Sequence, residues 1–257
     1  MQNSDFSDHQ IPTLSIVTVA AFETDRLVRT LESVRGIKAS IEHILVVPDL
    51  DKASARLILD YSKKVSFSVV VANDQGMGIY QAMNIGIQAS GGRYCLFLNA
   101  GDEIYDQKQF ESNILSILKN EPKWAILGCS LPWNHSYKTT PGMARRFLRQ
   151  EENSYVSHQS VVVERGVLNR LNGFDTTFKI AADTLITMRL TNMSIPLCLE
   201  GIAIKVERGN TVTRSNRLSR FETFRVVTKQ KRNQDQLIAI LNILKKEFKF
   251  LIKKMIR

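Results

Sequence analysis

Between Gly78 and Glu103 the chain reads GIYQAMNIGIQASGGRYCLFLNAGDE, a stretch that leaves few choices for how it folds. Ile79, Met83, Ile87 and Ser90 recur at helical spacing with Ala82, Gly86 and Ala89 between them, which predicts a helix with a small-residue face packed closely on a sheet. Gly91-Gly92 ends it. Tyr94-Cys-Leu-Phe-Leu98 is continuously apolar and bounded by turn signals, the pattern of a strand buried on both faces of a parallel sheet. Its carboxyl end is Asn99-Ala-Gly-Asp102-Glu103, at the edge where open α/β sheets hold ligands. An acid there can serve as an oxygen ligand for a hard divalent cation, with a diphosphate supplying further oxygens. It can equally be a solvated turn or a helix N-cap. The small Ala100 and Gly101 would let a phosphate approach the backbone.

The flanking sequence repeats the same alternation. Leu14–Ala20, Ile41–Val47 and Phe67–Val71 are β-branched apolar runs, and Thr24–Val34 and Ala53–Tyr61 carry apolar residues at helical spacing. Strands alternating with helices predict an α/β fold with a mostly parallel, doubly wound sheet, Rossmann-like, with helices on both faces. Asn73-Asp-Gln-Gly76-Met-Gly78 is a glycine-punctuated loop entering a helix, a place where backbone N–H groups can face an anion. Further on, a helix is expected over Ile104–Leu118 and a strand over Trp124–Cys129. Leu131–Arg149, with its aromatics and Arg145, Arg146 and Arg149, is expected to be an irregular loop, either closing over a sugar or phosphate or simply solvated. Tyr155–Val163 is expected to be a strand carrying His158.

Charge is unevenly spread. From Gly201 onward there are fifteen Lys or Arg against four Asp or Glu, whereas the preceding residues carry 20 against 21. The basicity therefore belongs to the tail, which calls for an anionic partner. From Arg217 the chain reads as helical, with Leu237, Ile240, Leu241, Leu244, Phe248, Leu251 and Met255 on one stripe and lysines around it. A basic amphipathic helix of this kind, residues 237–257, suits an anionic membrane surface, with packing on the body or a homodimer as alternatives. Nucleic acid is not expected, because the basic residues accompany an apolar stripe rather than exposed aromatics. The three cysteines, Cys95, Cys129 and Cys198, lie far apart in apolar settings and read as free thiols of a reducing compartment. The first ten residues lack a basic and an apolar region of the signal-peptide type, so a cytoplasmic location, peripheral on the inner face of the cell membrane, is expected.

GIYQAMNIGI followed by FLNAGDE resembles the GIYDAMNKGI and FLNSxD signatures of family 2 glycosyltransferases of the GT-A fold, of the kind that build bacterial surface polysaccharides of the colanic-acid or capsule type. SHQSVVVER and LNGFDTTFKIAAD resemble that family's SHQAVFVRR and GGFDxxFKIAADYDL still more closely. The resemblance spans about residues 12–215 and implies one glycosyltransferase domain over 1–215. Its nucleotide half lies at about 12–103 and its acceptor half at about 104–215, followed by the helical tail, 216–257.

By this resemblance the chain is an inverting, metal-dependent hexosyltransferase that moves a sugar from a nucleotide-sugar donor, UDP-linked, to a lipid-linked saccharide acceptor, with Mg²⁺ or Mn²⁺. Asp183, which closes the last motif, takes the place of the general base, and a helix N-cap is the alternative reading for it. Asp102 takes the place of the metal ligand, with Glu103 beside it as the other acid of the loop. Asn99 would contact the ribose, and His158 the diphosphate or metal. Asp74, Gly76 and Tyr80 would line the donor site. Asp175 would shape the turn that delivers Asp183. Arg208 or Arg214 would approach the diphosphate, and Asp49 would contact the base, unless Pro48-Asp49 is only a turn. The chain departs from the family after its first two strands, where it has VAAFE and VPDLDK. That departure leaves the nucleotide open and keeps alive a second class, a catalytically inactive GT-A-like binding or scaffold protein.

Overall fold

The computed structural model describes residues 11–20, 24–48, 52–74, 76–132, 134–137, 140–152, 154–207, 217–229 and 234–255. The elements in chain order are β1 (Leu14–Val19), α1 (Thr24–Arg35), β2 (Ile41–Val47), α2 (Lys52–Ser62), β3 (Ser68–Asn73), α3 (Ile79–Ala89) and β4 (Tyr94–Phe97). There follow β5 (Glu103–Ile104), α4 (Gln107–Asn120), β6 (Trp124–Leu131), β7 (Asn134–Tyr137) and α5 (Pro141–Leu148). After a 3-10 turn at His158–Ser160 come β8 (Val161–Glu164), α6 (Arg165–Arg170), α7 (Ala182–Met193), β9 (Leu197–Lys205), α8 (Arg217–Thr228) and α9 (Gln234–Met255).

One sheet runs in the order β3-β2-β1-β4-β8-β6-β9-β5, with β7 on β6. The first four strands are parallel, Leu14 lying opposite both Ile41 and Tyr94. In the second half, β8 runs antiparallel between β4 and β6. Side chains alternate between two buried faces: Val17, Ile44, Val46, Cys95 and Phe97 join the core beneath α3 and α7, while Leu14, Ile16, Leu96 and Leu98 join the one beneath α4. Burial on both faces is why these strands read as unbroken apolar runs rather than alternating ones.

The helix after Gly78 forms as expected, but its buried residues are Tyr80, Ala82, Met83, Gly86 and Ile87, and Ile79 is exposed. Gly86 is the contact that sets its height, since a Cβ there would run into the Val17 side chain. The Gly91-Gly92 turn is tied down by Glu42, whose Oε1 accepts from both backbone N–H groups at 2.6 and 2.8 Å.

Other expectations are corrected. The helix expected from Ile104 starts at Gln107, because Asp106 caps it by accepting from Gln109 N–H and Glu103–Ile104 pairs with β9. Its inner face takes Asn113 with Phe110, Ile114 and Ile117, whereas Leu118 is exposed. Leu131–Arg149 is no irregular loop: it holds β7 and α5, the latter capped by the Thr140 hydroxyl with Pro141 at its start. Its arginines are engaged, Arg146 with Glu151 and Arg149 with Asp235. The tail comprises two helices, α8 and α9, and their inner residues Val226, Val227, Ala239 and Ile243 belong to the main core. Cys95 and Cys129 are buried and Cys198 is half-buried, all free thiols.

His43 in β2 is fully buried, with Nδ1 at 2.8 Å from the Tyr61 hydroxyl and Nε2 at 2.9 Å from Thr18 Oγ1. Burial drives its pKa down to about 3, so the folded state holds it neutral while the unfolded chain takes up a proton near pH 6.5. Stability is therefore lost as pH falls below 6.5 toward 3. The stability gap between wild type and His43→Gln should narrow by about 2 kcal/mol between pH 7 and pH 5, read by urea denaturation at each pH.

Candidate active site

The carboxyl ends of β1 and β4 face the turn before β8, and the polar residues of three segments meet there. His158, expected in a strand, instead opens a 3-10 turn that follows Ser157, and its ring lies between Asp183 and Asn99. Its Nδ1 lies 3.1 Å from Asp183 Oδ2, and its Nε2 lies 3.2 Å from the Asn99 amide nitrogen. The His158 and Asp183 side chains are 20 and 22% exposed, so the pair opens toward solvent. Beneath it Phe97, Val161, Val163, Leu168, Phe174 and Ile186 line an apolar pocket.

Asp183 sits one residue inside α7 rather than at its N-cap, which is Ala181 and makes no side-chain cap. Its Oδ1 accepts from the Thr184 N–H at 2.7 Å and from the Tyr80 hydroxyl at 3.1 Å. Burial alone would raise its pKa, but the hydrogen bond and charge of His158, with the Thr184 and Tyr80 donors, hold it below the ordinary carboxylate value. Tyr80, expected at a donor site, thus belongs to the Asp183 cluster. Its ring stacks on Phe174 at 5.8 Å, and Phe174 meets Phe97 edge-on at 5.0 Å. One turn along α3, Asn84 grips the backbone of Phe174 twice, accepting its N–H at 2.7 Å and donating to its carbonyl at 2.8 Å. Gly173, at φ +63°, is required there, because a Cβ would strike the Asn84 amide.

Asp102 is 4% exposed. Its Oδ1 accepts from the Glu207 N–H at 2.9 Å, and the side chain of Gln159, whose Oε1 takes the Ser157 hydroxyl, bonds it as well. Burial pushes its carboxyl up to about 6, against the pull of those donors and of His158 and Arg26. From α1, Thr30 Oγ1 donates to the Asp102 carbonyl at 2.7 Å and accepts from Gly101 N–H at 2.9 Å. Arg26 and Arg29 hold the Glu207 carboxylate, which fills the space that a Cβ on Gly101 would occupy. The small residue therefore accommodates Glu207. Glu103 pairs with Lys205 and with β9, so Asp102 is the acid of this loop that faces His158.

His158 feels both acids: burial works against its charge, but Asp183 and then Asp102 outweigh that and raise its pKa. With Nε2 accepting from the Asn99 amide, the ring carries its proton on Nδ1, toward Asp183. That leaves Asn99 Oδ1 buried and without a partner. An unpaired buried oxygen in the same tight turn as a desolvated carboxylate, Asp102 N–H donating to the Asn99 carbonyl at 2.9 Å, is a donor set that fits a hard cation. No cluster of three His, Cys, Asp or Glu suited to a metal occurs among the described residues, so such a cation would need ligand-borne oxygens.

Asp74 lies at the end of β3, 7% exposed, and accepts from Gly76 N–H at 3.0 Å. Gly76 and Gly78 stand at φ +71° and +96° with open space where a Cβ would be. Asp175 shapes its turn by accepting from the Thr177 N–H and hydroxyl. Asp49, Arg208 and Arg214 lie outside the described residues.

The arrangement is that of an α/β enzyme with a histidine–acid pair and a second, buried acid at the carboxyl edge of its sheet. Residues 15–170 match the model of glycosyl transferase family 2, and the chain belongs to that family. It is 25% identical over 196 residues to an uncharacterized glycosyltransferase of Mycobacterium tuberculosis, covering 73% of this chain and 72% of the relative. A PGL/p-HBAD biosynthesis glycosyltransferase of Mycobacterium bovis is 24% identical over 67% of this chain and 64% of its own length. Among solved structures, S. aureus TarS 1-349 in complex with UDP-GlcNAc superposes with a TM-score of 0.71 at 13% identity, over 93% of this chain and 73% of that one. A mannosyltransferase from Pyrobaculum calidifontis in complex with GDP-Man and Mn²⁺ gives 0.63 at 13%, over 90 and 68%. The fold is that of GT-A glycosyltransferases.

His158→Gln removes the partner that keeps Asp183 ionised. The acid limb of the pH profile for nucleotide-sugar turnover should move to higher pH in this variant, measured by nucleotide release across pH 5 to 8.

Proposed function

We propose that this chain is an inverting hexosyltransferase that moves a sugar from a UDP-linked donor to a lipid-linked saccharide in bacterial surface polysaccharide synthesis. The observation that carries the reading is the ionised, solvent-reachable Asp183 held on the same histidine that faces Asp102. Asp183 would take the proton of an acceptor hydroxyl as its oxygen bonds to the anomeric carbon. The bond from that carbon to the diphosphate breaks on the opposite side, and its electron pair leaves with the nucleotide. His158 orients Asp183 through its Nδ1–H. Asn99 and Asp102 would hold a Mg²⁺ or Mn²⁺, which when bound supplies charge neutralisation at the diphosphate. The UDP and UDP-GlcNAc complexes of the structural neighbours support a UDP-linked donor, and the Mn²⁺ complex supports a divalent ion. The glycine-punctuated loop at 74–78 and the entry of α3 lie toward the donor side in this reading.

Residues 1–215 would form the transferase body and 216–257 the helical tail, of which 237–257 would meet the membrane. No helix among the described residues is long and apolar enough to cross a membrane. Leu237, Leu241, Leu244 and Phe248 of α9 are 53 to 66% exposed, and Phe221 on α8 is 59% exposed. Such an apolar stripe beside lysines supports docking on an anionic lipid surface. The full chain should float with liposomes containing phosphatidylglycerol and should stay behind when Leu241 and Phe248 are both changed to Ser.

A screen of UDP- and GDP-sugars with Mn²⁺ should raise the melting temperature for the true donor, since a ligand of the folded form stabilises it. Asp183→Asn should keep that shift while losing donor turnover about a hundred- to ten-thousandfold. Asp102→Asn should lose the Mn²⁺-dependent part of the shift. Full turnover in Asp183→Asn would sink the mechanism, and no shift with any nucleotide-sugar would favour a scaffold.

A further inference from the structure

The segment that delivers Asp183, residues 175–180, has no strand or helix of its own, yet Asp175, Phe178, Lys179 and Ile180 are held by α8 and the residue that follows it. Glu222 is 2% exposed, and its two carboxylate oxygens accept from the consecutive N–H groups of Lys179 and Ile180, each at 2.9 Å. Arg225 lies over the Phe178 ring at 4.6 Å, and Lys229 lies over the same ring at 4.8 Å. Lys229 also pairs with Asp175 at 2.6 Å. Positions 222, 225 and 229 follow helical spacing, so these contacts form one stripe. The stripe lies well beyond residues 15–170, the part of the chain that matches the family model.

The two amides have no sheet ladder to enter, and losing their acceptor would leave two part-buried donors without their partner. They stand immediately before α7, whose N-cap Ala181 offers no side-chain oxygen. A carboxylate at that entry also favours the positive end of the α7 dipole. Asp183 follows three residues after Ile180, and its contacts with His158 and Tyr80 are both at hydrogen-bond length, so a small displacement of the helix start breaks them.

We propose that Glu222 is a positioning residue for the catalytic base: by fixing Lys179 and Ile180 it sets the start of α7 and keeps Asp183 on His158 and Tyr80. This rests on Asp183 as the base. The tail helix α8 thereby becomes part of the machinery for proton abstraction without touching substrate.

The test uses the full chain and Mn²⁺, with whichever sugar from a panel of UDP- and GDP-sugars wild type hydrolyses fastest. In Glu222→Gln one of the two amides faces an NH₂ group in place of an oxygen. Its kcat should fall about ten- to a hundredfold with the donor KM within about twofold, because misplacing the base leaves donor binding in the other half of the sheet intact. Hydrogen exchange should quicken over 176–184 and remain unchanged in β1–β4. Arg225→Met, on the solvent side of the same stripe, should shift both readouts in the same direction by less, and it serves if Glu222→Gln does not fold. Wild-type kcat in folded variants, or a loss shared equally between kcat and KM, overturns the positioning role. Wild-type turnover in Asp183→Asn overturns the base reading instead, and exchange over 176–184 then judges whether Glu222 clamps the segment.

Discussion

The site depends on one imidazole that pairs with one carboxylate and feels the charge of a second. Removing two acids from water at close quarters is costly, and each would tend to protonate. His158 divides the burden unequally: Asp183 receives the ring's N–H and stays ionised, whereas Asp102 is left more desolvated and its carboxyl rises. Two acids of one cleft thereby acquire different proton affinities, the condition under which they can do different work. The 3-10 turn at His158–Ser160 is what makes this possible, since a continuous strand would have sent the ring and Gln159 to opposite faces of the sheet.

Each member of the cluster is braced by a helix distant in sequence. Thr30, Arg26 and Arg29 of α1 secure the Asp102 loop, directly and through Glu207. Tyr80 and Asn84 of α3 secure Asp183 and Phe174. Glu222 of α8 secures the approach to α7. Apart from Asn99 Oδ1 the polar groups of the cluster find partners, and His158 and Asp183 share an apolar pocket with residues of β4, β8 and α7.

The parallel half of the fold was legible because its strands are buried on both faces and its helices carry clear periodicity. Boundaries were lost where a single side chain decides them: Asp106 capping α4, or Thr140 and Pro141 opening α5. The second half was harder because β5, β7 and β8 are short, and two to four residues give no period to read. Of the site, Asp102, Asn99, His158 and Asp183 were legible through the motifs they close. Thr30, Glu207 and Glu222 were not, because their role is to satisfy backbone N–H groups or carry an ion pair across long sequence separations, and nothing in their neighbours announces it. In the tail, the expected stripe of Leu237, Leu241, Leu244 and Phe248 exists but faces outward. Ala239 and Ile243, outside that stripe, make the inward contact together with Ile240 from it, helped by Asn242 donating to the Arg149 carbonyl.

Asn84 carries a further consequence. Its amide belongs to the first half of the chain, yet it reads the backbone at Phe174 in the second and tolerates only glycine at 173. The two halves are therefore not interchangeable modules: a hybrid that took its acceptor segment from one ancestor and α3 from another would inherit a mismatched handshake. Recombination within such a lineage is expected to respect that join even where the surrounding surface has drifted freely.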